Sequence, residues 1–201
     1  MAAGFAQARG EIVGISNSHI LANSDQYRPG HEIFHATTGK VIATLGGSIP
    51  LAQGDNKVDL AWCRPIPDTL SKISLDEPLI SGTDDFVARF IQQGRPFKVL
   101  VRSDGAKIRG TIHGIQGTML VASPADYPSR SYRFIDVIEL QLPDIAGFSG
   151  SLVISEDNRV GALLFAHISN SDIGFAIPWS NVETEFERAT GSKLLYGDPV
   201  P

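Results

Sequence analysis

Gly147-Phe148-Ser149-Gly150-Ser151, running straight into the apolar segment Leu152-Val153-Ile154, is the stretch on which the reading of this chain turns. A serine next to glycine belongs on a tight turn, because glycine takes backbone angles closed to other residues. Such a turn exposes the hydroxyl and lets neighbouring main-chain N–H groups converge on one point, which is what an oxyanion site requires. Ser149 is therefore a candidate nucleophile, although an ordinary tight β-turn accounts for the same residues. The residues after the serine separate two hydrolase architectures. In the nucleophile elbow of α/β-hydrolases a glycine stands two residues after the serine and a helix comes next. Here Ser151 holds that place and a strand pattern comes next, with a polar turn at Glu156 to Arg159 and a second apolar strand from Val160.

Outward from this point the chain reads as strands. Phe97 to Arg102, Lys107 to Ile115, Thr118 to Ala122, Arg133 to Leu140, Ser151 to Ile154, Val160 to His167 and Ile173 to Ile177 are short apolar or alternating runs between turn residues. Upstream, Gly4 to Ala8 and Glu11 to Ser16 flank Arg9-Gly10 as a hairpin, and Glu32 to Ala36, Lys40 to Leu45 and Val58 to Cys63 complete a set able to close a small barrel. Between Arg64 and Gln93 prolines interrupt the pattern, and only Asp84 to Gln93 has helical spacing, through Phe86, Val87, Phe90 and Ile91. Pro178 to Ala189, stopped by Gly191, reads as a closing helix.

A length of 201 residues suits one compact unit rather than two α/β domains. With a formal net charge of -5 and scattered Lys and Arg, the chain lacks the basic surface that nucleic acid demands, so no nucleic-acid partner is expected. No run of about 18 apolar residues suggests a membrane span, and no membrane partner is expected. Cys63 is the one cysteine, so no internal disulfide can form, which favours a reducing, cytoplasmic setting. Cys63 itself, beside Trp62 in an apolar run, reads as a small core residue.

A nucleophilic serine needs a base and a group to orient it. His19, in Ile15-Ser16-Asn17-Ser18-His19-Ile20-Leu21-Ala22, lies at a strand exit; His31, His35 and His113 have less distinctive settings. Asp59, in Lys57-Val58-Asp59-Leu60-Ala61-Trp62, puts a carboxylate against an apolar strand, where burial must be met by hydrogen bonds such as one from an imidazole N–H. Taken singly, His19 also fits a structural histidine and Asp59 a turn former.

Together, Ser16-Asn17-Ser18-His19-Ile20-Leu21-Ala22, Val58-Asp59-Leu60-Ala61 and Gly147-Phe148-Ser149-Gly150-Ser151 resemble the histidine, aspartate and serine motifs of trypsin-like serine peptidases, in that order. Val160 to Ala166 is similar to compact bacterial members, the bacterial or phage-type branch, and Gly174-Phe175-Ala176-Ile177-Pro178 to the closing strand of high-temperature-requirement proteases. The resemblance implies an all-β fold of two six-stranded antiparallel barrels with a C-terminal helix. Residues 1–93 would be the first barrel and linker, with His19 and Asp59, and residues 94–201 the second barrel, with Ser149 and the helix.

It implies a serine endopeptidase acting on protein or peptide, with Ser149 attacking, His19 passing the proton, Asp59 holding the imidazole, and the N–H groups of Gly147 and Ser149 as the oxyanion hole. No cofactor and no metal are implied. Substrate would pair beside Phe165, Ala166 and His167, with the primary pocket near Pro143 and Asp144; Pro143 stands where a trypsin-like acidic anchor would be, which argues against strict basic preference. Phe148 replaces the aspartate that receives a new amino terminus in activated digestive members, so the fold must preorganise itself. Asn17-Ser18 replaces the usual small pair before the histidine. The rival reading is a latent or pseudoprotease peptide-binding module on the same fold.

Overall fold

The computed structural model describes residues 4–23, 26–35, 38–69, 82–103, 106–122, 131–143 and 147–196. Strands β1 (Gly4–Ala8) and β2 (Glu11–Ser16) form the expected hairpin, with Arg9 and Gly10 at φ of 54° and 78°. Left-handed angles at both turn positions match the right-handed twist of the flanking strands. Helix α1 (Ser18–Leu21) follows β2 at once, and strands β3 (Glu32–Phe34), β4 (Val41–Ser48) and β6 (Ala61–Pro65) complete a five-stranded sheet in the order β1-β2-β6-β4-β3. Its core holds Leu21, Ile33, Leu45 and Cys63. Gly46 and Gly47 sit at a bulge where the Trp62 indole lies on the backbone, leaving no room for a Cβ.

The second sheet is built from β7 (Phe97–Ser103), β8 (Ala106–Ala122), β9 (Ser131–Gln141), β10 (Leu152–Ile154), β11 (Val160–His167) and β12 (Ile173–Pro178). The order is β12-β11-β10-β7-β8-β9, and β9 pairs back onto β12, closing a six-stranded ring. The architecture is thus all-β in two mainly antiparallel sheets with a small helical end, as expected. The strand count differs in the first half, where five strands rather than six are paired among the described residues. One reason is β5 (Asp55–Asn56), a first-half strand that joins the second sheet, parallel to β9. Asn56 holds it there: its Nδ2 donates to the carbonyls of Ala52 (3.0 Å), Gly54 (3.1 Å) and Arg133 (3.1 Å), and its Oδ1 accepts from Ala52 N at 2.8 Å.

Among the described residues, two helices of eight residues or more pack outside the sheets. Helix α2 (Phe86–Gln93) is capped by Asp85, whose Oδ1 accepts from Ala88 N at 2.9 Å, and ends at Gly94 in the left-handed region. Helix α3 (Trp179–Thr190) ends at Gly191 in the same way. Trp179, Val182 and Phe186 of α3 enter a core that includes Ile15 and Leu60 from the first half and Phe134, Leu163 and Phe165 from the second. Trp62 meets Phe186 edge-to-face at 5.4 Å, so one helix seals both sheets together. Beyond it, Leu195 bridges to Gln7 of β1 through N–H···O bonds of 2.8 and 3.0 Å. No helix among the described residues is long and apolar enough to cross a membrane.

This packing generates two expected outcomes. Gly161 lies under the Phe86 ring, which a Cβ would penetrate; Gly161→Ala should therefore cost about 1–3 kcal/mol as a lowered denaturation midpoint. Cys63 is buried, and burial pushes its thiol up to about 12. Iodoacetamide at neutral pH should leave no adduct by intact mass on the native protein and one after denaturation; rapid native labelling would contradict this account of the first core.

Candidate active site

The β2–β6 ladder ends at the pair Ser16↔Ala61. There the two chains part: residue 17 turns into α1, and residues 58–60 run outside any strand. The sequence pattern predicts a strand from Val58, but Asp59 precedes β6, because its polar groups are engaged by the α1 turn instead of a ladder. Asp59 is 3% exposed. Its Oδ1 accepts from the main-chain N–H of Ser18 at 2.8 Å and of His19 at 3.3 Å, and its Oδ2 meets His19 Nδ1. With Oδ2 as acceptor, Nδ1 is the protonated nitrogen and Nε2 is left to accept a proton. Asn17, fully buried, donates from Nδ2 to the Asp59 carbonyl at 3.0 Å.

Ser149 stands on the turn that the sequence indicates. Ser151 N donates to Phe148 O at 3.0 Å, and Gly147 and Gly150 have φ of 85° and 88°. These angles favour glycine, which is why the motif carries it on both sides of Phe148-Ser149. The turn is tied to β11 by Gly150 N to Leu164 O (2.8 Å) and Leu164 N to Ser151 O (2.9 Å). Phe148 packs on the second core. Neither the Gly147 nor the Ser149 main-chain N–H is bonded to another described residue. Ser149 Oγ donates to the Phe165 carbonyl at 3.3 Å. A hydroxyl carries one proton, so in this rotamer it is not aimed at His19.

His19, Asp59 and Ser149 line one cleft of about 190 Å³ together with Phe165, Ala166 and His167. The structure therefore brings these six residues together. Pro143 is exposed and does not line this cleft, and Asp144 lies outside the described residues. Sequence reasoning misses Leu51, Val121, Tyr132 and Phe134, which supply the apolar wall. Alternation along β9 puts Tyr132 and Phe134 on one face and is a usable signal; Leu51 reaches the cleft only through the β5 crossing, which nothing local announces. Along β11 the pairing with β10 stops at Leu163↔Leu152, while pairing with β12 continues to His167↔Gly174. Among the described residues, the stretch 165–167 therefore has a strand on one side only, beside Ser149. His31 stacks on Tyr27 with ring centroids 3.9 Å apart, away from the residues of the cleft.

No protein-family model and no curated protein matches the chain. Among solved structures it is similar to Thermobifida fusca Protease A, with a TM-score of 0.61 at 13% identity over 97% of this chain and 91% of that one. It is similar to a glutamic acid specific serine protease described as using a histidine triad in substrate binding, with a TM-score of 0.62 at 14% identity over 96% and 91%. Cellulomonas bogoriensis chymotrypsin gives 0.57 at 16% identity over 97% and 90%. Such identities speak to architecture, and the architecture is that of the bacterial trypsin- and chymotrypsin-like serine proteases.

Proposed function

We propose that the chain is a serine endopeptidase that hydrolyses peptide bonds through an acyl-enzyme intermediate. The observation that carries this is the buried Asp59–His19 pair opening into the same cleft as Ser149. Ser149 Oγ attacks the scissile carbonyl as His19 Nε2 takes its proton; the tetrahedral oxyanion is held by the N–H groups of Gly147 and Ser149; His19 then protonates the leaving amine. Water repeats the sequence on the acyl ester and frees Ser149. Asp59 holds the imidazole with Nδ1 protonated and stabilises the imidazolium. An extended substrate adds as a strand along Phe165, Ala166 and His167, whose cleft-side edge has no partner strand among the described residues. A substrate N–H on the Phe165 carbonyl competes for the acceptor that Ser149 now uses, which frees the hydroxyl to turn toward His19. The two halves, divided near residue 93, act as one catalytic unit. A lone buried cysteine, of no use as a cross-link, fits work in the cytoplasm.

One observation favours a second reading, a latent or peptide-binding form: Ser149 donates to Phe165, not to His19. A fluorophosphonate separates the two. For an active peptidase, intact mass should show one adduct on the wild type and none on Ser149→Ala, with labelling of His19→Ala at least ~10³-fold slower. Asp59→Asn should retain the fold and lose on the order of 10⁴-fold in turnover, since it favours the wrong imidazole tautomer. A folded wild type that takes up no probe would establish the latent form.

A further inference from the structure

Asparagine at the start of a helix ordinarily turns its side-chain oxygen back to cap the first free N–H groups. Asn17 is the N-cap of α1, with its own carbonyl accepting from Ile20 N (3.2 Å) and Leu21 N (3.0 Å), yet its side chain makes no capping bond. It reaches across to the Asp59 carbonyl instead. Its Oδ1 is buried with no partner among the described residues. A good cap has thus been given up and an acceptor stranded, both at some cost to stability, for a single bond to the backbone of one residue.

The position of that bond explains the exchange. Below Ser16↔Ala61 the ladder no longer supports the chain that carries Asp59, and the next carbonyl along, that of Leu60, is taken by Ile49 N at 2.8 Å. Asn17 Nδ2 supplies the missing rung from a side chain. Three consecutive residues then grip Asp59 at both ends: Asn17 by its main-chain carbonyl, Ser18 and His19 by the carboxylate. Without the first of these, the carboxylate is still attracted to its donors but the backbone behind it is unanchored. A small shift there moves Oδ2 off the imidazole Nδ1–H.

We propose that Asn17 is a positioning residue for the His19–Asp59 pair, its amide aiming the carboxylate by fixing the backbone of Asp59. The proposal rests on the peptidase reading of the site. Asn17→Asp keeps the side-chain shape and removes the donor; Asn17→Ser withdraws it out of reach. Each is compared with wild type in saturation kinetics of fluorophosphonate labelling, which separate the maximal rate from the half-saturating concentration. Gly161→Ala serves as a variant destabilised away from the cleft. The maximal rate should fall on the order of 10²-fold in both Asn17 variants, with the half-saturating concentration unchanged, while Gly161→Ala keeps the wild-type maximal rate. Wild-type labelling with Asn17 variants equally fast, or slowed only in proportion to their unfolded fraction, overturns the positioning role alone. Failure of both Asn17 variants to fold overturns it too, by assigning Asn17 to holding the sheet. An unlabelled wild type overturns the peptidase reading and this role together.

Discussion

Removing a carboxylate from water is costly unless donors replace the solvent it loses, and the arrangement of the first half derives from doing so for Asp59. Strand β2 must stop at Ser16 and α1 must begin immediately, so that the N–H groups of Ser18 and His19 point back toward one oxygen. Strand β6 must start only at Ala61, leaving Asp59 clear of the ladder. The same turn that satisfies the carboxylate carries His19 to the cleft wall. Burial of the acid and presentation of the imidazole are therefore a single local solution.

The other half of the cleft depends on closure of the second sheet. The β9–β12 pairing turns six strands into a ring, and the Ser149 turn is stitched to that ring through Leu164. The mixed core of Trp179, Phe186, Ile15, Phe134 and Phe165 then fixes the distance between the serine and the histidine. A side chain on each wall would be useless without this shared packing, because neither sheet alone contains both.

Much of this is legible from the residues, and where it is not there is a physical reason. Val160 to His167 is bounded by a turn at Asn158 and a polar exit, and the strand has those limits. The Arg9-Gly10 hairpin and the Gly191 stop are readable because left-handed angles select particular residues. Gly117 suggests a break between two strands, but β8 passes through it, since pairing with β9 just before and just after it, at Gln116↔Val137 and Thr118↔Ile135, holds the chain extended whatever its own preference. Strand β5 has two residues, too few for any periodicity, and exists through the bonds of Asn56 to a strand far along the chain. In the candidate site, His19, Asp59 and Ser149 are visible from their motifs. The bond that Asn17 makes is not: the residue before Ser18-His19 looks like a minor departure from a small pair, and only the fold shows which carbonyl lies opposite it.

The strand-like contact between Leu195 and Gln7 joins residues that lie far apart along the chain and are therefore made at well-separated times. Leu194 is buried, and Tyr196 takes a hydrogen bond from Trp179 Nε1 at 2.7 Å and gives one to Glu183 at 2.7 Å, with burial pushing its phenol well above the usual range. The outer edge of β1 thus waits for its partner until α3 has been made and packed. A chain still growing on the ribosome has His19 and Asp59 long before it has the segment that covers the first sheet. The order of manufacture itself delays assembly of a finished cleft until nearly all of the polypeptide described here has emerged.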